Sequence, residues 1–230
     1  VEAKRYRGLS ASEAGALQEV KARIGPEDSL SADAYWGSQF TSRRLIHTFP
    51  IRWRQDDKVL VVARADPFPR HPDHLAVIER LRNSPIHRLL YRKGDVELYE
   101  RTPPPQQTAH SIAFANRIQL TGFTLETPRI PPGTQVVLHL FWTTEAALDE
   151  DYVVFVHLVD EDGRKIAQSD SIPMQGMYPA SEWPAGETVI DTHMLKVGED
   201  APPGQYRLLV GLYSETTLER VPITRGDAEQ

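Results

Sequence analysis

Short apolar stretches separated by turn residues dominate the second half of the chain. Strand-like stretches recur at 117–125, 134–142, 152–159, 164–172, 188–196 and 205–213. Turn pairs such as Asp162-Gly163 and Pro203-Gly204 lie between them. In the last stretch, alternation places one apolar face at Tyr206, Leu208, Val210 and Leu212. Several short strands without an intervening helical repeat predict an antiparallel β-sandwich, of Ig-like or jelly-roll-like type.

Helical spacing of apolar residues is confined to the first half. Ser10 and Glu13 have the spacing of a capping box. Apolar residues then recur on one helical face at Leu17, Val20 and Ile24. Gly25-Pro26 supplies a stop for this helix. A second helix is predicted to begin at Pro72 and Asp73, with a core face at Leu75, Ile78 and Leu81.

Strand signals lie between and after these helices. The apolar run 58–63 is typical of a strand that is buried on both faces. The segments 86–92 and 95–101 predict a hairpin with its turn at Lys93-Gly94. The first half is therefore predicted to be a small α/β domain, with helices packed on a mixed sheet.

A proline-rich stretch separates the two halves, and the charge changes sign across it. Residues 103–110 include three consecutive prolines, which favour an extended spacer. Residues 1–102 have a net charge of +4, whereas residues 103–230 have a net charge of −10. These features predict an α/β domain at 1–102, a linker at 103–110 and a β-sandwich domain at 111–230.

Composition narrows the possible chemistry. With no cysteine, the chain has no disulfide, thiolate nucleophile or cysteine-ligated metal. No apolar run approaches 18 residues, so no membrane span is predicted within it. A net charge of −6 and the lack of an aromatic-basic stripe argue against nucleic acid as a partner. The first residue is Val1 and no signal-peptide pattern follows it, so we expect a piece of a longer polypeptide, the alternative being a natural mature terminus.

Four stretches of the first half carry a family resemblance. Residues 24–32, 40–50, 58–62 and 94–101 resemble the tail of an uncharacterised bacterial family of polytopic membrane proteins. That family is similar to the integral-membrane glycosyltransferases that use lipid-linked sugars. The resemblance implies that the partner of this chain is a membrane-embedded part of the same polypeptide.

A second resemblance covers the second half. Residues 152–163, 178–187, 191–193 and 202–213 resemble a β-sandwich module appended to large bacterial membrane-bound glycosyltransferases. No activity is known for that module, so the resemblance implies a location on the extracytoplasmic face of the cell membrane rather than a reaction. In such enzymes the catalytic carboxylate belongs to a loop near the first membrane helices. Those segments are missing here, so no catalytic residue is carried over.

Linear catalytic motifs are missing as well. No two of the 14 glycines have G-x-G spacing, and neither G-x-S-x-G nor His-Glu-x-x-His occurs. We therefore predict no catalytic residue and no cofactor. Two clusters are candidates for a metal, but each has a simpler interpretation. Asp160-Glu161-Asp162-Gly163 fits a hairpin turn, and His71, Asp73 and His74 fit a helix start, so no metal is predicted.

Aromatic residues in the connection 173–187 are candidates for ligand binding. Met177, Tyr178 and Trp183 could stack on sugar rings if they lie exposed and roughly coplanar. The alternative is that Tyr178 and Trp183 anchor this long connection to the core.

Arginines make the first half locally basic. Arg43, Arg44, Arg52 and Arg54 could face lipid headgroups or a lipid-linked phosphate. Trp53 could then lie at a lipid interface. The alternative is that surface arginines pair with Asp56, Asp57 and Asp66.

These observations predict a non-catalytic, extracytoplasmic accessory region of a membrane glycosyltransferase-like protein. Its β-sandwich would bind a glycan, a cell-wall polymer or another partner in the cell envelope. The alternative is a spacer or protein-interaction β-sandwich without a small-molecule ligand. A hydrolase or transferase site formed by titratable groups of both halves is a third, weaker hypothesis.

Overall fold

The computed structural model describes residues 11–63, 74–115, 117–126 and 128–226. The chain divides into two compact units, Val1–Pro103 and Pro104–Gln230, referred to here as the N-terminal and C-terminal units. Ser10 of the predicted capping box, and Pro72 and Asp73 of the second predicted helix start, lie outside the described residues. Within the described residues, no helix is long and apolar enough to cross a membrane.

The N-terminal unit alternates helices and strands. Its elements are α1 (Ala11–Lys21), β1 (Leu30–Ala32), α2 (Ala34–Gly37), β2 (Ile46–Thr48), β3 (Lys58–Val62), α3 (His74–Arg82), β4 (His87–Lys93) and β5 (Val96–Arg101). The strands form one sheet in the order β2-β1-β3-β5-β4. β1 runs parallel to β2 and β3, whereas β5 pairs antiparallel with β3 and β4. The predicted mixed sheet and its terminal hairpin are confirmed.

The central strand β3 separates two apolar clusters. Leu60 and Val62 belong to the cluster on the α1 side of the sheet, and Val59 and Val61 belong to the cluster on the α3 side. Every residue of β3 is buried, as its continuous apolar run predicts.

The predicted core face of the second helix is partly wrong. Ile78 and Leu81 are buried, but the side chain of Leu75 is 52% exposed. His74 and Val77 take the inward positions instead. The buried residues of α3 thus follow the i, i+3, i+4, i+7 pattern, which turns Leu75 toward solvent.

The C-terminal unit is an antiparallel β-sandwich, as the strand pattern predicts. Its strands are β6 (Thr108–Phe114), β7 (Ile118–Leu125), β8 (Gln135–Thr144), β9 (Tyr152–Val159), β10 (Lys165–Ser171), β11 (Val189–Lys196), β12 (Arg207–Ser214) and β13 (Ile223–Arg225). One sheet has the order β10-β9-β12, and the other has the order β11-β8-β7-β6-β13. The six predicted strands are all present, and β6 and β13 are additional.

The spacer between the two units is shorter than the predicted linker. The stretch 103–110 was expected to be a linker, but β6 already begins at Thr108. The backbone N–H of Gln107 donates to Oγ1 of Thr124 at 3.0 Å, and that hydroxyl donates to the carbonyl of Pro105. These side-chain hydrogen bonds and the pairing of β6 with β7 therefore fix the second half of the segment to the C-terminal unit.

Candidate functional site

The aromatic residues that the sequence nominates for glycan stacking are mostly core residues. Trp183 is 2% exposed and Tyr178 is 3% exposed, while Met177 is half-buried. The indole N–H of Trp183 donates to the carbonyl of Tyr178 at 3.1 Å, and its ring centroid lies 6.5 Å from that of Trp142. These rings anchor the 173–187 connection to the core and do not form an exposed platform. A buried tryptophan removes a large apolar area from water, and this stabilises a long loop.

The same connection is fixed by a buried carboxylate. Oδ1 of Asp191 accepts the backbone N–H of Met174 at 2.6 Å. Met174 and Gln175 both have positive φ, 53° and 57°, which L-residues rarely adopt. The hydrogen bond to Asp191 therefore helps to hold a backbone conformation that would otherwise be unfavourable.

Asp191 also belongs to a line of three polar side chains. Its Oδ2 lies 2.7 Å from Nε2 of His193, and Nδ1 of His193 lies 3.1 Å from Oγ of Ser169. Burial lowers the pKa of His193, but the adjacent Asp191 carboxylate, together with Ser169 and Asp170, raises it, and the net pKa lies above its usual value. The side chains of Asp191 and His193 have no solvent exposure. A substrate cannot reach the imidazole, so the line has a structural role.

The arginines proposed to face headgroups have separate roles. The Arg43 guanidinium donates to the carbonyls of Ile24 at 2.9 Å, Gly25 at 2.5 Å and Asp28 at 3.1 Å. It thereby satisfies backbone acceptors beyond the end of α1. Arg44 is exposed.

The second arginine pair lies around a buried tryptophan. Nε of Arg52 lies 4.0 Å from Oδ1 of Asp56, and the Arg54 guanidinium lies 4.7 Å from the ring centroid of Trp53. Trp53 is 2% exposed, so its predicted place at a lipid interface is wrong. Asp57 accepts hydrogen bonds from Ser29 rather than from an arginine. Asp66 lies outside the described residues.

The acidic cluster of the sandwich is a turn, as predicted. The Gly163 N–H donates to the carbonyl of Asp160 at 3.0 Å, and Gly163 has a φ of 79°. Oδ1 of Asp160 accepts the backbone N–H of Arg164 at 2.8 Å. His74 lies 3.5 Å from Asp33, while His71 and Asp73 fall outside the described range. Across the described ranges, no cluster of three histidines or acids is placed to hold a metal.

One concave feature of the C-terminal unit is a groove along one side of the sandwich, which we call the edge groove. It lies between β12 of one sheet and β6 and β13 of the other, and it has a volume of about 960 Å³. The groove exists because β12 is the edge strand of a three-stranded sheet that faces a wider five-stranded sheet. Six apolar side chains that line it are only half-buried: Ile112, Phe123, Phe155, Leu208, Val210 and Val221.

The chain itself closes one end of the edge groove. The N–H of Val221 donates to the carbonyl of Leu212 at 2.9 Å, and the N–H of Ser214 donates to Glu219 at 2.9 Å. The chain then crosses to the other sheet, where Ile223 pairs with Phe114. The edge of β12 is therefore covered from Leu212 onward and open before it.

The charge of the edge groove is opposite to that of its unit. Although residues 103–230 carry 18 acidic side chains, none of the described residues lining the groove is Asp or Glu. Arg207 and Arg220 line it together with His110 and His157. Neither arginine has a carboxylate partner among the described residues. His157 is paired with Asp170 at 3.1 Å.

Rings lie on the outer face of the three-stranded sheet beside this groove. The Phe155 ring lies over Gly211, where a Cβ atom would come within 2.3 Å of it. Its centroid lies 6.4 Å from that of Tyr213, with an interplanar angle of 21°, and 5.1 Å from that of His157. The Arg220 guanidinium covers the Phe155 ring at 5.1 Å. We refer to Phe155, His157 and Tyr213 as the outer ring cluster.

The edge groove offers several kinds of binding surface. Among the described residues that line the edge groove, the titratable side chains are two histidines and two arginines, and none is a serine, threonine, lysine or acidic residue. What it offers is an apolar surface, cationic side chains and the free edge of a strand. Sequence reasoning missed the groove, although the alternation of Leu208, Val210 and Leu212 was visible, because its walls come from strands far apart in the chain.

Comparisons with known proteins add little about function. No protein family and no curated protein sequence matches the chain. Among solved structures, a β-glucuronidase from glycoside hydrolase family 2 is similar with a TM-score of 0.36 and 14% identity. The similarity covers 55% of this chain and 12% of that one, so the chain spans only a small part of that enzyme's length. So distant a likeness supports no statement about activity.

Proposed function

We propose that the chain is a non-catalytic accessory region of a membrane glycosyltransferase-like protein, and that its C-terminal unit binds a partner of the cell envelope in the edge groove. The resemblances described above support the membrane context and the extracytoplasmic location. The groove carries the binding proposal, because a soluble β-sandwich rarely leaves inward-facing apolar side chains such as Leu208 and Val210 half-buried without a use for them.

A protein partner fits the edge groove better than a sugar does. The lining is mainly aliphatic, whereas sugar sites rely on exposed rings and many polar groups. Tyr178 and Trp183, which a glycan platform would need, are buried in the core.

Selection from a random peptide library against the purified chain tests this proposal. Val210→Trp fills the groove, and Met194→Trp makes a comparable change on β11, the edge strand of the other sheet. We expect enriched peptides to lose binding at least tenfold to Val210→Trp and to bind Met194→Trp unchanged. Equal binding to both variants, or no enriched peptide, would contradict a partner site in the groove.

Glycan binding is a second candidate, and the outer ring cluster favours it. Phe155 and Tyr213 are half-buried with nearly parallel rings, and the polar pair His157–Asp170 lies next to them. A glycan array probed with the wild type, Phe155→Ala and Val210→Trp separates the two candidates. Sugar binding that Phe155→Ala abolishes and Val210→Trp spares would support the second candidate.

The proposed location is testable because the chain has no cysteine of its own. Thr41→Cys and Thr216→Cys each place one thiol at an exposed position, one per unit. In intact cells that express the whole parent protein, we expect a membrane-impermeant maleimide to label both above the background of the unsubstituted parent. Labelling only after the cells are broken would place the units in the cytoplasm and end this part of the proposal.

A further inference from the structure

We infer that the edge groove receives an extended acidic peptide segment, which adds as a further strand to the free edge of β12. This inference rests on the proposed function and specifies how the partner binds. It follows from three independent features of the groove: its unpaired backbone, its apolar sites on both sides of β12, and its charge.

The backbone of β12 is open where the groove lies. Leu212 turns its carbonyl toward the free edge, because that oxygen accepts the N–H of Val221. In a strand, backbone groups of alternate residues point the same way, so those of Leu208 and Val210 also face the free edge. No described residue pairs with β12 on this side of Leu208 and Val210. An edge of this kind is a template for another strand.

Side chains of an added strand would find apolar surface on both faces. Leu208 and Val210 point between the sheets, where Ile112 and Phe123 are also half-buried. On the other face, Leu209 is exposed beside the outer ring cluster. A strand whose side chains alternate between these two faces matches the period of two that an extended peptide imposes.

The charge of the groove determines the kind of peptide. Arg207 and Arg220 line the groove without carboxylate partners among the described residues, and no lining residue in that part of the chain is acidic. Carboxylates on the incoming segment would pair with these guanidiniums, whereas lysines would be repelled. The occupant is therefore an extended segment with apolar residues at alternate positions and Asp or Glu near its ends.

A defined probe tests this inference. The probe is a labelled seven-residue peptide in which valine and threonine alternate between two terminal aspartates, and its partner probe has terminal lysines instead. We expect the purified chain to bind the aspartate probe at least tenfold more tightly. Arg207→Glu combined with Arg220→Glu should reverse this preference. Arg129→Glu combined with Lys196→Glu, which changes the net charge equally at exposed positions that do not line the groove, should not.

Two N-methylated versions of the aspartate probe test strand addition itself. In each version, alternate backbone amides are methylated, so that only one version blocks the amides that face β12. We expect one version to bind at least tenfold more weakly and the other within about twofold, because only one set of amides makes the inter-strand hydrogen bonds.

The outcomes separate this inference from the proposed function. If both methylated versions bind like the parent probe, strand addition is wrong, although the groove remains a partner site. If the two charge variants behave alike, the acidic character of the partner is wrong. If the aspartate probe does not bind while the peptide library still yields groove binders that Val210→Trp abolishes, the inference fails and the proposed function stands. If neither binds, both fail.

Discussion

Nε2 of His193 lies 2.7 Å from Oδ2 of Asp191, and neither side chain is accessible to solvent. The other carboxylate oxygen of Asp191 accepts the N–H of Met174. One buried aspartate thus holds a histidine on its own strand and a strained loop at the same time. Buried charges are costly unless all their partners are present, so small changes at this site should have large effects.

Replacement of Asp191 by alanine should strongly destabilise the C-terminal unit. It leaves the imidazole of His193 and the N–H of Met174 without their partner, at a cost of about 3–5 kcal/mol. Urea unfolding followed by hydrogen exchange of peptides from residues 104–226 measures this. Asp170→Ala, which removes an exposed aspartate paired with His157, should cost less than about 1 kcal/mol and serves as the control. Equal effects of the two changes would contradict the prediction.

The stability of the C-terminal unit should fall as the pH rises above about 6.5, the pKa of an unfolded histidine. Burial lowers the pKa of His193, but Asp191, Ser169 and Asp170 together raise it above its usual value, so the folded unit binds a proton more tightly than the unfolded chain does. This contribution is complete below the unfolded pKa of about 6.5 and is lost as the pH passes through the raised folded value. Unfolding of the wild type and His193→Gln between pH 6 and pH 9 tests it. The same slope in both proteins would refute it.

The N-terminal unit should show the opposite dependence. Burial lowers the pKa of His87 to about 4, and Arg101 and Arg54 add to this despite a hydrogen bond from Nε2 to the carbonyl of Trp53. Stability is then present above the unfolded pKa and is lost between about pH 6.5 and 4, by roughly 3 kcal/mol. His87→Gln should remove this component, as judged by hydrogen exchange of peptides from 11–63 and 74–101. An unchanged acid transition in the variant would rule it out.

Glu97 should be important for the stability of the N-terminal unit. Its buried carboxylate lies 2.6 Å from Nη2 of Arg82 and accepts the Tyr99 hydroxyl at 2.6 Å. Glu97→Gln removes the charge that holds both groups, at a cost of about 2 kcal/mol after allowance for the partial exposure of Arg82. Glu79→Gln removes an exposed partner of the same arginine and should change the free energy of unfolding by less than about 0.5 kcal/mol. A reversed order in urea unfolding would contradict the role of Glu97.

Gly211→Ala should disturb the outer ring cluster. Its Cβ atom would lie 2.3 Å from the Phe155 ring, which must move away, and such overpacking costs about 1–3 kcal/mol. Gly204→Ala is the matched control, because no atom lies within 4 Å of its new Cβ atom. Unfolding measurements on both variants check the prediction, and equal stability would show that Phe155 does not depend on the space above Gly211.

The strand pattern predicted the sandwich well because each strand carries its own signal. β6 was missed because its first residues follow three prolines and its burial alternates poorly, and β13 has only three residues. Leu75 was assigned to the core because spacing by three residues fits two adjacent helix faces, and only packing against the sheet selects the face of His74 and Val77.

The candidate site was harder to predict for a physical reason. Whether Tyr178, Trp183 and Trp53 are buried depends on which elements pack against them. The pattern of apolar residues along the sequence does not contain that information. The role of Arg43 could not be predicted for the same reason, because its guanidinium donates to three carbonyls of a segment that lies 15 to 19 residues earlier in the chain. The edge groove arises where β12 and β6 end up side by side without pairing, which only the sheet order reveals.

The arginines beside the open edge of β12 also bear on self-association. Exposed edges commonly join copies of the same protein into dimers or larger aggregates. If two copies met edge to edge at β12, Arg207 of each would approach the positive rim of the other, and like charges placed opposite one another disfavour such pairing. We therefore expect Arg207 and Arg220 to disfavour edge-to-edge pairing of two copies while leaving the edge of β12 open to an acidic partner.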